Sequence, residues 1–240
     1  MTKIFRNVAQ IKGRTKSTTS IILLATSTER ECNQWGKFSL AWEIIKIQLH
    51  VIRNKLPNMD LIVVSNNNYN NILSLKDQYN LRIVPHLNQV NENEMQDIKF
   101  GLSSCLSDNV IIICGNVFFS DDILQRISAG EKSKILVDEG DPQLQRENIG
   151  VVVDNGEVVN FGYDIFPKWG KIVYFNNKDF TDFADLILKN NHAQQFLFEG
   201  LNRFIEQYTP ISTYSPRNYF LGKVYTGGDI KRGKQYYGIS

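Results

Sequence analysis

The chain has 240 residues, and its 27 Lys and Arg against 25 Asp and Glu give a formal net charge of +2. So small a net charge does not supply the broad basic field that indicates a nucleic-acid partner. The apolar runs fall well short of the roughly 20 residues that cross a bilayer. The 3 cysteines lack metal-ligand spacing, which is typical of reduced thiols. We therefore expect a cytoplasmic protein without a membrane span.

The amino-terminal segment differs in charge from the rest of the chain. Its first sixteen residues contain basic side chains and no acidic one, a pattern typical of a solvated terminus. We expect residues 1–19 to form a flexible basic leader and residues 20–240 to form a single domain. Nothing in the sequence fixes the oligomeric state, and a homo-oligomer stays open. The basic residues are Lys3, Arg6, Lys12, Arg14 and Lys16.

Short apolar runs alternate with helical patterns through the first half of the chain. A loop is expected at Thr26–Lys37, directly after the first run, and helices are expected at Leu40–Leu56, Asn66–Tyr79 and Glu92–Leu106. This alternation predicts a parallel, doubly wound α/β sheet. The predicted strands are Ser20–Ala25, Asp60–Ser65, Leu81–Val84 and Val110–Cys114.

The run at Val110–Cys114 is apolar and rich in β-branched residues, as expected of a strand buried on both faces. Gly115 ends it, and Asn116 follows at the carboxyl end, where open α/β sheets place their ligands. Asn116 is therefore a candidate site residue. The alternative is that Asn116 only makes the turn.

The second half predicts a more mixed arrangement. A close turn at Asp154–Gly156 joins two strands into a hairpin. Further strands and helices follow, and the sheet as a whole is expected to be mixed but mainly parallel, flanked by helices. The other predicted strands are Lys134–Asp138, Lys171–Phe175, Ile211–Tyr214 and Phe220–Tyr225, and the predicted helices are Asp179–Asn190, His192–Tyr208 and one that begins at Asp229.

Three segments then resemble one known family in their order and spacing. Cys114–Phe119 is similar to a "GDV-F" strand and turn, Ile135–Val159 contains an "LVD" strand and a "dG-v" hairpin, and Val224–Arg232 is similar to a closing "iDTpeDl". Together they resemble the sugar-phosphate and phospho-alcohol nucleotidyltransferases, including the phosphocholine and phosphonate cytidylyltransferases. The resemblance covers roughly Ser20 to Lys234 and implies a glycosyltransferase-A-like fold.

The resemblance also implies a chemistry. In that family an acceptor phosphate or phosphonate attacks the α-phosphorus of a nucleoside triphosphate, and pyrophosphate leaves. A Gly-rich loop approaches the phosphates, a Lys or Arg neutralises charge, and two carboxylates hold Mg²⁺. It implies a nucleoside triphosphate, with CTP favoured, and a small phosphorylated acceptor as partners. The implied nucleotide-binding positions are Ala25, Thr26, Ser27, Thr28, Asn93 and Gly115.

The sequence departs from the family pattern at the positions that matter most for catalysis. Both loop glycines are missing, and Glu29 and Glu31 would repel phosphate. The two metal carboxylates are replaced by Asn116 and Tyr225, which removes the charge that attracts Mg²⁺. Lys171 stands about where the cytidylyltransferases have an acid facing the acceptor.

Other residues could supply the missing functions. Arg30 and Lys37 are the candidates for contact with the phosphates, the alternative being surface charge. Asp138 and Asp141, with Asn116, are candidates for an unorthodox metal site, the alternative being a solvated acidic loop. Asp229 stands where a helix favours a capping or first-turn acid.

Three functional hypotheses follow. The first is a nucleotidyltransferase, impaired or active, that uses Mg²⁺ if active. The second is a non-catalytic relative that binds nucleotide or sugar phosphate or serves as an assembly surface. The third is a metal-dependent glycosyltransferase with Asp138–Asp141 as its acidic motif.

Overall fold

The computed structural model describes residues 19–34, 38–66, 68–86, 93–120, 122–140, 149–189, 196–216 and 221–239. Within these residues, helices pack on both faces of a nine-stranded mixed sheet, and a separate two-stranded sheet lies beside it. The predicted fold class is therefore confirmed. None of the helices in the described part of the chain is long and apolar enough to cross a membrane.

The first four strands of the large sheet are parallel and lie in the order β3-β2-β1-β4. The central pair is in register from Thr19 opposite Asn109 to Leu24 opposite Cys114. Their carboxyl ends therefore meet at one edge of the sheet, as the sequence predicts. The strands are β1 (Thr19–Leu24), β2 (Asp60–Ser65), β3 (Leu81–Pro85) and β4 (Asn109–Cys114).

The remaining strands make the sheet mixed. The long strand β9 lies antiparallel between β4 and β6, and the predicted hairpin forms the far edge, so the full order is β3-β2-β1-β4-β9-β6-β10-β8-β7. The small sheet pairs β5 with β11, antiparallel. These strands are β5 (Val117–Phe119), β6 (Lys134–Asp138), β7 (Ile149–Asp154), β8 (Glu157–Tyr163), β9 (Lys168–Phe175), β10 (Ile211–Tyr214) and β11 (Leu221–Lys223).

The helices cover two apolar cores, one on each face of the sheet. Alternate residues of β1 serve opposite cores, because Ile21 belongs to one cluster and Ile22 to the other. This explains why the strand is a continuous apolar run. The helices are α1 (Ala25–Gln34), α2 (Phe38–Lys55), α3 (Tyr69–Ser74), α4 (Glu94–Ser103), α5 (Ile123–Ile127), α6 (Asn177–Lys189), α7 (Leu197–Gln207) and α8 (Gly227–Tyr237).

The loop predicted at Thr26–Lys37 is wrong over most of its length. Helix α1 begins at Ala25, directly after β1, and continues to Gln34. Its buried positions include Ala25, Thr28, Glu29 and Cys32, which have helical spacing. Because half of that buried face is polar, no apolar periodicity marks the helix in the sequence. A helix thus occupies the region where the resemblance implies an open phosphate loop.

Candidate functional site

The carboxyl ends of β1 and β4 meet the segment before α8. The hydroxyl of Thr28 on α1 donates a hydrogen bond to the carbonyl oxygen of Gly115, at 3.0 Å. One residue further on, the backbone N–H of Val224 donates to the carbonyl oxygen of Asn116, at 2.8 Å. Three predicted regions of the site, from positions distant in sequence, are therefore in contact. We use the name strand-tip site for the group formed by Gly115, Asn116, Glu31, Lys171, Lys223 and Tyr225.

Asn116 is fully buried and holds the end of β11 in place. Its side-chain nitrogen donates a hydrogen bond to the carbonyl oxygen of Val224. Its side-chain oxygen Oδ1 is buried, and no hydrogen-bond partner for it exists among the described residues. The amide nitrogen and the backbone carbonyl thus fix the position of β11, and one neutral oxygen remains.

An ion pair lies directly over Gly115. The ammonium nitrogen of Lys171 contacts Oε1 of Glu31 on α1. A Cβ atom built on Gly115 would lie 2.7 Å from that carboxylate oxygen and 2.8 Å from the Lys171 nitrogen. Gly115 has φ +76°, a conformation that glycine adopts without strain. The glycine therefore leaves the space in which the ion pair sits.

The backbone of β9 is distorted where it presents Lys171. Ile135 of β6 pairs with Val173 of β9, and Val137 pairs with Trp169. An advance of two residues along β6 is therefore matched by four residues along β9, which bulges. Lys171 lies within this bulge at φ +58°, which is costly for a side chain larger than glycine. Bulges commonly re-aim side chains beside functional sites. Here the bulge accompanies the contact between Lys171 and Glu31.

Two lysines lie beside the Glu31 carboxylate. Burial by itself lowers the pKa of the Lys171 ammonium, but the neighbouring negative charge, that of Glu31 first, outweighs it, so the pKa is raised above its usual value. Lys223 lies 3.8 Å from the other Glu31 oxygen and 5.2 Å from the ring centre of Tyr225. Glu31 is thus held between two lysines, of which Lys171 stays protonated at neutral pH.

The polar residues at the start of α1 are used within the fold. Glu29 is 2% exposed and accepts hydrogen bonds from the hydroxyl of Ser65 and from the backbone N–H of Asn68, both at 3.0 Å. Ser27 donates to Glu94 on α4, at 3.2 Å. Ala25 and Thr26 are also buried. Glu29, expected from the sequence to repel phosphate, instead ties α1 to the segment after β2.

Arg30 takes part in a buried network that the sequence does not reveal. Its guanidinium contacts Asp97 on α4 at 2.6 Å, and the other Asp97 oxygen lies 2.5 Å from Nδ1 of His86. Asp97 is 0% and His86 1% exposed. His86 follows a proline in an unremarkable context, so only the fold identifies its partner. The charge of Arg30 is therefore compensated inside the protein.

The other predicted site residues have structural partners of their own. Asn93 caps α4 by accepting from the N–H of Gln96, at 2.8 Å. Asp229 forms a capping box with Thr226 at the start of α8. Burial would raise the pKa of Asp229, but bonds from the Tyr225 N–H and from neighbouring groups lower it.

Asp138 lies on β6, which β9 separates from β4. Its oxygen Oδ1 accepts from the N–H of Gly140 at 2.9 Å. Lys37 and Asp141 lie outside the described residues, as does the leader up to residue 18. Their predicted roles stay predictions.

The residues at the strand-tip site do not fit the Mg²⁺ that the resemblance implies. Mg²⁺ prefers several hard, mostly anionic oxygen ligands in octahedral geometry. Asn116 offers one neutral oxygen, Tyr225 is a phenol, and the Glu31 carboxylate is already in contact with Lys171. Among the residues that the structure describes, no three His, Cys, Asp or Glu side chains form a group that could hold a metal.

The fold matches that of several solved nucleotidyltransferases. The inositol-1-phosphate CTP transferase from T. maritima superposes with a TM-score of 0.68 at 13% identity, over 94% of this chain and 99% of that one. The CTP:phosphocholine cytidylyltransferase LicC from Streptococcus pneumoniae gives 0.65 at 9% identity, over 92% and 100%. A nucleoside-diphosphate-sugar pyrophosphorylase from Vibrio cholerae gives 0.65 at 9%, over 90% and 99%.

No protein-family model matches the sequence, and no curated protein does so either. At identities of 9–13% the structural likeness establishes the fold, and the chain has the glycosyltransferase-A-like fold of the sugar-phosphate and phospho-alcohol nucleotidyltransferases. The resemblance stated from the sequence is confirmed at this level. Which activity the fold carries here is a separate question.

Proposed function

We propose that this protein is a non-catalytic relative of the nucleotidyltransferases that binds a phosphorylated ligand, a nucleotide or a sugar phosphate, without transferring a nucleotidyl group. The observation that carries the proposal is the ion pair between Glu31 and Lys171 over Gly115. It stands where the resemblance implies a metal bound by two carboxylates. The neutral side chains of Asn116 and Tyr225 at the carboxylate positions support the same conclusion.

The size of the rate loss expected without a bound metal favours a binding protein over a slow enzyme. Metal assistance to phosphoryl chemistry is worth several kcal/mol, or about a thousandfold or more in rate. Helix α1 adds a second obstacle, since the side chains of Thr26, Ser27 and Glu29 fill the start of the implied phosphate loop. A single substitution could be compensated elsewhere. Here the loop and both carboxylate positions differ together.

The second candidate function is nucleotidyl transfer itself, with CTP as the favoured donor and Arg30 and Lys37 contacting the phosphates. Its support is the meeting of α1, Gly115, Asn116 and the segment before α8 at one place. The proteins of similar fold include an inositol-1-phosphate CTP transferase and a CTP:phosphocholine cytidylyltransferase. The pairing of Arg30 with Asp97 weighs against this candidate, because it uses the guanidinium within the protein.

One experiment separates the two. The full chain is incubated with each nucleoside triphosphate, Mg²⁺ and inositol 1-phosphate, phosphocholine or glucose 1-phosphate, and released pyrophosphate is measured. We expect no release above the background of a mock preparation that lacks the protein, together with a rise in melting temperature when a nucleotide or sugar phosphate is added. Release by the wild-type protein that the mock preparation lacks would establish the enzyme instead.

A further inference from the structure

The residues of the strand-tip site do not fit Mg²⁺. Another group must therefore neutralise the negative charge of a phosphate bound there. Two ammonium groups lie at the site, one on Lys171 and one on Lys223, on either side of the Glu31 carboxylate. The three side chains are 17%, 18% and 16% exposed, so each is mostly buried but still reached by solvent. An ammonium group is a fixed cation that needs no metal to neutralise phosphate.

We propose that Lys171 and Lys223 form a metal-independent phosphate site, in which the Lys171 ammonium takes the part that Mg²⁺ plays in the enzymes of this fold. The inference rests on the proposed function, since it names how the same site binds its ligand. The ligand class is a phosphate monoester or diphosphate. Glu31 lies between the two ammonium groups and balances their charge until the ligand arrives.

The backbone around Lys171 supports this assignment. The residue has φ +58° inside a bulge of β9, a conformation that is strained for a residue with a Cβ. Strained backbone that persists in a folded protein is concentrated at functional sites. Gly115 supplies the matching space on β4, because a Cβ there would lie 2.8 Å from the ammonium. The bulge in β9 and the missing side chain at Gly115 together allow the Lys171 ammonium to lie at the strand-tip site.

A relocated metal site is the competing interpretation. The Glu31 oxygen Oε2 and the Asn116 oxygen Oδ1 are both buried without a hydrogen-bond partner among the described residues. Two such oxygens could attract a divalent cation. Against this, Glu31 is in contact with Lys171 and 3.8 Å from Lys223, so a third cation would meet strong repulsion. The geometry therefore favours the ammonium groups.

The test is calorimetric titration of the full chain with inorganic pyrophosphate, once in EDTA and once in MgCl₂. We expect binding in EDTA, with less than a threefold change on adding Mg²⁺. Lys171→Met and Lys223→Met should each weaken binding about tenfold or more, since each removes a charge-assisted hydrogen bond to phosphate. Glu31→Gln should tighten binding, because it removes the one negative charge between the lysines.

Lys132→Met is the matched control, because that lysine pairs with Glu157 at 3.6 Å on the surface.

Lys171→Met leaves Glu31 without its main partner and is expected to lower stability. A second variant, in which both members of the ion pair are replaced by neutral residues, is therefore also needed. The double variant Glu31→Gln with Lys171→Met should fold and should bind at least tenfold more weakly than Glu31→Gln alone. Binding that requires Mg²⁺ and is lost in Glu31→Gln would overturn the proposal in favour of a relocated metal site. The absence of pyrophosphate binding in both buffers would also overturn it, yet would leave the non-catalytic assignment standing. That assignment fails only if pyrophosphate is released from a nucleoside triphosphate.

Discussion

Gly115 is the residue at which backbone conformation and site chemistry depend on each other most directly. Its φ of +76° is strained for any other residue, and its missing Cβ leaves room for Glu31 and Lys171. Asn116 then follows in a position where both its backbone and its side chain bind the Val224 segment. A change at Gly115 should therefore disturb the ion pair and the backbone at once.

We predict that Gly115→Ala destabilises the protein more than a glycine replacement that disturbs the backbone alone. Strain contributes about 1–2 kcal/mol and crowding against the ion pair about 1–3 kcal/mol. Gly156→Ala is the matched control, because Gly156 has φ +80° but no atom within 4 Å of a built Cβ. Urea unfolding of both variants measures the difference. Equal losses would show that the ion pair does not depend on the space at Gly115.

At the scale of single elements, α1 decides what the site can bind. Its buried face is polar and is held by specific partners: Glu29 by the segment after β2, and Arg30 by Asp97. Buried carboxylates with several hydrogen bonds are satisfied groups, and removing one partner leaves the other uncompensated. Helix α1 is therefore tied to the segment after β2 and to α4 by polar contacts.

We predict that Asp97→Asn lowers the free energy of unfolding by about 3–5 kcal/mol, since it removes the buried carboxylate that compensates the Arg30 charge and hydrogen-bonds His86. Asp60→Asn is the control, because Asp60 also pairs with an arginine, Arg82, but the two side chains are 24% and 30% exposed. There the loss should be smaller, because water still reaches both side chains. Equilibrium urea unfolding measures both. A loss at Asp97 no larger than that at Asp60 would contradict the role assigned to the network.

The elements differ in how far the sequence predicts them, for physical reasons. Strand β4 is predictable because Val110–Cys114 must be apolar to lie between two helix layers. Helix α1 is not, because its buried face contains Thr28 and Glu29, and the resemblance favoured a loop there. Asn116 is predictable as a site residue, since a polar residue directly follows a buried strand. The pairing of Lys171 with Glu31 is not, because it spans 140 residues and depends on a bulge.

For the molecule as a whole, the fold matches that of the nucleotidyltransferases, whereas the residues of the site differ from those that the resemblance implies. The sheet brings the carboxyl ends of β1 and β4 together with the segment before α8. The acidic side chains implied for magnesium are absent from positions 116 and 225, and an ion pair between α1 and β9 lies at the site. The central claim is that a lysine, rather than a metal ion, supplies the positive charge there.

The most direct test of that claim is a crystal of the full chain grown with CTP and MnCl₂, with diffraction recorded where manganese scatters anomalously. Manganese substitutes for magnesium at oxygen sites and can be located directly. We predict no manganese signal beside Asn116 and an ammonium of Lys171 that still contacts Glu31. Manganese coordinated by Asn116 or Glu31, with Lys171 turned away, would contradict the account.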